Sequence, residues 1–144
     1  MSTDLINGFG NVYLRISYDA ASRWVCNEWI GHQTYIGILA GADACLQPLQ
    51  EHHCAYLLND NRRVIGPWDH AVDWIVSNWA PRAIVQGLTH FANVVSPEAL
   101  AASSAHSMAL GLHGQLQMHL FDDAEAAQEW LREAQRQAQK RPTG

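Results

Sequence analysis

The chain has 144 residues, 48% of them hydrophobic and 16% charged, with a formal net charge of −5. That length points to one domain, 1–144 with an ordered core over about 11–138, large enough to bury roughly 68–70% of its unfolded surface without staples. Its nine Lys and Arg form no dense patch, which argues against nucleic acid and against an anionic membrane surface.

No apolar stretch approaches the ~20 residues a membrane span needs, so no membrane insertion is expected. The N-terminus, M-S-T-D-L-I-N-G-F-G, lacks the basic start of a signal peptide. Cys26, Cys45 and Cys54 make an odd count with no C-x-x-C spacing. That fits thiols packed as small hydrophobes in a reducing cytoplasm, which is the expected location.

In chain order, Asn11 to Tyr18 alternates apolar and polar residues, the pattern of a strand with one wet face. Asp19 to Ser22 is a turn, and Arg23 to Ile30 reads as the second arm of a hairpin. After Gly31, the spacing of Tyr35, Leu39, Ala42, Leu46 and Leu49 predicts an amphipathic helix, weakened by Gly37 and Gly41 and ended near Pro48. Cys54 to Leu58 is apolar throughout, as in a strand covered on both faces. It runs into a polar tetrad, Asn59, Asp60, Asn61 and Arg62.

Gly66-Pro67 opens a second helix whose inner stripe is Trp68, Ala71, Val72, Ile75 and Trp79. Pro81 predicts a break near Ala80 and a short segment to Gln86. Leu88 to Val95 is a strand. Ser96-Pro97-Glu98 starts a helix over Ala99 to Ala109. Gln115 to Phe121 is the last strand, and Asp122-x-x-Glu125 starts a last helix with Ala127, Trp130, Leu131 and Ala134 inward. Arg141 to Gly144 should fray. The order β-β-α-β-α-β-α-β-α predicts an α/β fold: a mostly parallel five-stranded sheet with an N-terminal hairpin at one edge.

Three stretches carry a family resemblance: N-D-N-R at Asn59 to Arg62, W-A-P-R at Trp79 to Arg82, and F-D-D-x-x-x-A-x-x-W-L from Phe121 to Leu131. With the element order, over about residues 11–136, the chain resembles the SpoIIAA-like proteins of the STAS-type fold, and most closely the small stand-alone bacterial members labelled STAS/SEC14-like. The resemblance implies a non-catalytic regulatory or protein-interaction module that self-associates as a homodimer. Anti-sigma antagonists carry an acid followed by a phosphorylatable Ser at the end of the third strand. Here that place reads Asp60-Asn61, and Asn61 cannot accept phosphate, so the phosphorylation switch is not carried over.

The residues offer one main candidate site, where the third strand meets the second helix. Asp60, Asn61, Arg62 and Arg82 could clamp an anion; alternatively Asp60 and Arg82 form an internal ion pair. With Trp68 and Trp79 alongside, the junction also suits a small lipid-like or other apolar ligand. Trp74 lies off the inner stripe and suits a homodimer or partner surface. His52-His53-Cys54 contains metal-ligand types, but neighbours on an extended chain point to opposite faces, so neither metal nor other cofactor is expected. No G-x-S-x-G, G-x-x-x-x-G-K-[ST] or G-x-G-x-x-G occurs, and the expectation is a module without catalysis.

Overall fold

Residues 2–140 are described by the computed structural model; the expected fraying of Arg141 to Gly144 lies outside the described residues. A short strand, β1 (Ser2–Ile6), precedes the hairpin of β2 (Val12–Asp19) and β3 (Trp24–Gly31). The hairpin turn is closed by Asp19, whose carboxylate accepts from the backbone N–H groups of Ala21 and Ser22 at 3.0 and 3.1 Å. Strands and helices then alternate: α1 (Tyr35–Glu51), β4 (Tyr56–Val64), α2 (Val72–Trp74), α3 (Ala80–Val85), β5 (His90–Val94), α4 (Ala99–Leu112), β6 (Gln117–Phe121) and α5 (Ala124–Lys140).

The sheet has six strands in the order β1-β2-β3-β4-β5-β6. The first two pairings are antiparallel and the other three parallel, so β2 alone runs against the rest. This corrects the five-stranded expectation and moves the ordered region's start from about residue 11 to residue 2. The added strand pairs Ser2 with Ser17 through to Ile6 with Val12. Its sequence, S-T-D-L-I, has no two-residue alternation of apolar side chains, because as an edge strand it is mostly exposed and needs none.

Two hydrophobic clusters cover the two faces. The larger lies under α1, the broken helix and α4, and includes Leu14, Leu49, Leu57 and Leu112, each 0–1% exposed. The smaller lies under α5, where Ala127 and Leu131 meet Trp24, Leu58, Ala92 and Val94. A side chain buried to this degree contributes about 1.5–3 kcal/mol by leaving water.

Several boundaries differ from the sequence reading. α1 continues through Pro48 to Glu51, because the turn beyond the proline is closed by His52 N–H to Pro48 O (3.1 Å) and Cys54 N–H to Leu49 O (2.9 Å). β4 extends to Val64, so the polar tetrad lies inside a strand and not at a junction. The second helix breaks earlier than Ala80: a 3₁₀ turn, Asp69–Ala71, leads into α2, and a π-helical turn, Ile75–Trp79, separates α2 from α3. Pro81 then follows directly on the π-helical turn, in the first turn of α3, next to Ala80, whose N–H donates to Ile75 O. The last helix is capped by Asp123, which accepts from Ala126 N–H at 2.8 Å, and not by Asp122. Among the described residues, no helix is long and apolar enough to cross a membrane.

Candidate functional site

Asparagine is depleted in strands because its side chain competes for backbone hydrogen bonds and packs poorly. Here three asparagines stand side by side in the middle of the sheet. Asn27 on β3 is in register with Asn59 on β4, and Asn59 with Asn93 on β5. All three are buried, at 2, 6 and 0% exposure. Asn61, two residues along β4, is buried on the same face.

Asn59 is the hub of this row. Its oxygen accepts from the indole N–H of Trp29 at 2.8 Å. Its amide nitrogen donates to the side-chain oxygens of Asn61 (2.9 Å) and Asn93 (2.7 Å). Just beyond, the β3–β4 register slips: Glu28 pairs with Asp60, but Ile30 pairs with Arg63. Asn61 and Arg62 therefore share the place opposite Trp29. The slip breaks strict alternation, so that Asn59, Asn61 and Val64 all reach the same inner face.

Above the row is a cavity of about 60 Å³, several times the roughly 10–15 Å³ that one water needs on this measure. Trp29, Trp68, Trp79, Phe91 and Met108 supply much of its wall, and Asn27, Gln33, Asn59 and Asn61 its polar spots. Every lining side chain is buried and none is charged. Three buried polar atoms on lining residues have no hydrogen-bond partner: Asn27 Oδ1, Gln33 Oε1 and Trp68 Nε1. A fourth, Asn93 Nδ2, lies at the end of the row beside Asn59. Trp68 contrasts with its neighbours, since the indole of Trp29 reaches Asn59 and that of Trp79 donates to Ala42 O at 2.8 Å.

The loops at the C-terminal ends of the parallel strands hold these groups in place, at the edge where open α/β sheets take ligands. In the β3–α1 loop, the Gln33 amide nitrogen donates to Ile30 O (3.0 Å) and Gly31 O (3.4 Å), which anchors the side chain. In the β4–α2 loop, Trp68 N–H donates to Ser104 Oγ at 2.9 Å. Gly66, at φ +77°, lets the two loops touch; a Cβ there would lie 2.7 Å from His32 Nδ1. The Glu98 carboxylate accepts from Gly66 N–H at 2.5 Å and from the first N–H groups of α4, Leu100 and Ala101. Those bonds, the Gly66 one foremost, hold its pKa below the usual range. The anion position at the start of α4 is thus filled by the chain's own carboxylate.

Cys45 also lines the cavity, and burial pushes its thiol up to about 12 although Asn27 and Trp79 lie against it. The chemistry available inside is neutral hydrogen bonding within an apolar shell.

Of the residues singled out from sequence, Asn61, Trp68 and Trp79 converge on this cavity. Asp60 and Arg62 do not, because they point to the opposite face of β4. There they bind each other, Arg62 Nε to Asp60 Oδ1 at 3.0 Å and Nη2 to Oδ2 at 2.8 Å. The expected Asp60–Arg82 pair does not form. α3 packs on the inner face, and its Arg82 reaches Asp43 on α1 at 2.6 Å and Asn78 Oδ1 at 3.0 Å. The four polar residues therefore build no common anion clamp. Trp74 is half-buried against the core, with the Arg82 guanidinium 5.7 Å from its ring centre. His52 stacks on Tyr18 at 3.8 Å, and among the described residues no group of three His, Cys, Asp or Glu could hold a metal.

The sequence reading missed Asn27, Asn93 and Gln33. A signal was present: Asn stands fourth in Trp24-Val25-Cys26-Asn27, Tyr56-Leu57-Leu58-Asn59 and His90-Phe91-Ala92-Asn93, each time the first residue of three successive strands plus three. No protein-family model matches the chain, and no curated protein matches it either.

Proposed function

We propose that this chain is a non-catalytic binding module of the STAS type, whose working part is the buried cavity, and that the cavity takes a small neutral ligand. The observation that carries this is the set of three unpartnered polar atoms, Asn27 Oδ1, Gln33 Oε1 and Trp68 Nε1, around one cavity. Each such atom costs about 1–3 kcal/mol when left buried and unpaired. A chain carrying three of them in one place stores a binding site more readily than it gains stability. The neutral form of the ligand reading is favoured because Arg62 pairs with Asp60 and Arg82 with Asp43, and neither arginine lines the cavity.

The STAS part is supported by the strand–helix alternation and by the three motifs, and it brings a regulatory role as a proposal with it. Occupancy of the cavity would then alter a surface of the module, through the π-helical turn that supplies Ile75 and Trp79 to its wall. A homodimer through the face around Trp74 and a cytoplasmic location belong to the same proposal. Native mass spectrometry of protein purified from its own host tests the ligand part. A co-purifying small molecule released on denaturation is the expected result; an empty protein, with no thermal shift across a neutral-metabolite screen, would overturn it. Sedimentation with and without that molecule tests the regulatory part, because a coupled ligand must shift self-association or partner affinity.

A further inference from the structure

The three unpartnered atoms on the lining residues constrain the ligand by count. Asn27 Oδ1 and Gln33 Oε1 are acceptors and require two donors; Trp68 Nε1–H is a donor and requires one acceptor. A primary carboxamide offers two N–H donors and one carbonyl acceptor. An alcohol has a single donor, a carboxylate or ketone has none, and an ammonium has no acceptor. Charge gives the same answer: no charged side chain lines the cavity, so a buried ion would lack a partner. The cavity, about 60 Å³, calls for a small ligand.

We infer that the cavity binds a small primary carboxamide, its NH₂ shared between Asn27 and Gln33 and its carbonyl oxygen on the Trp68 indole. The inference rests on the ligand-binding reading above and adds the class of ligand. Gln33 is the specificity-determining residue. Its own amide nitrogen is held by Ile30 O and Gly31 O, which leaves the carbonyl oxygen as the group offered to the ligand. Asn27 is held on the cavity wall by its place in the asparagine row. Trp68 is set by Ser104, which fixes its backbone.

The indole N–H of Trp68 is the reporter, read by proton–nitrogen correlation spectroscopy and identified by its loss in Trp68→Phe. The probes are acetamide, acetone and acetate, which share one heavy-atom count and differ in donors and charge. Ligands of this size are held no tighter than about 40 µM even at the ceiling of ligand efficiency, so titration runs through the millimolar range. Acetamide is expected to shift the Trp68 signal saturably, with acetone and acetate at least tenfold weaker. Gln33→Met should weaken acetamide at least tenfold while the Trp29 and Trp79 indole signals stay in place. If that variant does not fold, Trp68→Phe read by saturation transfer to acetamide replaces it, with the same loss expected.

Acetone binding as well as acetamide overturns the amide assignment and leaves the neutral-ligand reading standing. Acetate binding best overturns neutrality itself. No response to any probe, with water cross-peaks to the Trp68 indole, marks a hydrated cavity and overturns the inference. The ligand reading falls separately, on an empty protein in native mass spectrometry together with no thermal shift across the neutral-metabolite screen. Unchanged acetamide affinity in Gln33→Met removes Gln33 from the assignment and overturns the count.

Discussion

The indole N–H of Trp29 donates to the side-chain oxygen of Asn59 at 2.8 Å, across the β3–β4 seam, and both residues are buried. This bond orients the hub of the asparagine row, because with its oxygen fixed, the Asn59 NH₂ must face Asn61 and Asn93. Trp29→Phe leaves that oxygen unpaired, and about 1–3 kcal/mol of stability should be lost. Asn59→Leu strands the Trp29 donor and two amide oxygens and should cost more. Urea denaturation of both single variants and the double variant should give a coupling energy of about 0.5–3 kcal/mol. Additive effects would mean that the bond orients nothing.

How much of this was legible in the sequence divides by the kind of signal. Helix α5 and the β2–β3 hairpin follow from periodicity and turn residues, local rules that the tertiary structure leaves intact. Asn61, Trp68 and Trp79 were readable as one region, because they flank the same strand-to-helix connection. Asp60, Arg62 and Arg82 drew the reading toward an anion clamp because charge stands out in an apolar neighbourhood. Only the pleat of β4 and its register slip decide which of these side chains face the cavity, and the slip depends on pairing with β3. Asn27 and Asn93 were invisible as site residues for a related reason. Each alone is an odd strand residue, and only the parallel register puts them beside Asn59.

Gly41 was read as a weak point in α1, and its place against the sheet gives it a use. A Cβ at this position would lie 2.6 Å from Leu14 Cδ2 and 2.7 Å from Trp29 Cη2. In an exposed helix interior, Gly to Ala gains about 0.5–1 kcal/mol. Here overpacking reverses the sign, and Gly41→Ala should destabilise by about 1–3 kcal/mol. Gly8→Ala, with nothing within 4 Å, should stay within about 0.5 kcal/mol. A stabilised Gly41→Ala in chemical denaturation would mean that Trp29 moves freely and that its hold on Asn59 is loose.

The thiols should be inert in the native state. Burial pushes Cys45 to about 12 and Cys26 to about 11, and raises Cys54 as well. At about pH 8 the thiolate fraction of Cys26 is then on the order of a thousandth, and reactivity follows the thiolate. All three are free cysteines. Ellman titration should give negligible fast reaction in buffer and three equivalents in denaturant. One fast equivalent in buffer would show that the fold opens at a cysteine on a short timescale.

The two arginines once grouped at one site should behave as separate surface pairs. Arg82 and Asp43 are 44% and 52% exposed at their side chains, so Arg82→Ala should cost no more than about 1 kcal/mol, and Arg82→Ala combined with Asp60→Ala should be additive. Asp60 differs from Asp43 in being only 15% exposed, with Arg62 at 52%. Burial by itself raises the Asp60 pKa, but the side-chain and backbone hydrogen bonds from Arg62 outweigh it, and the net shift is downward. A carboxylate with a lowered folded pKa contributes stability above its unfolded value of about 3.9 and loses it as pH falls through the folded value. The stability gap between wild type and Arg62→Ala should therefore be present at about pH 7, up to ~1 kcal/mol given the exposed guanidinium, and should shrink as pH drops below about 4. Glu98, Glu129 and Glu133 also have lowered pKa values, but they titrate in both proteins and cancel in the difference. Urea denaturation of the two proteins across this range checks the sign. A gap that widens on acidification would mean that Arg62 stabilises the fold through something other than the Asp60 carboxylate.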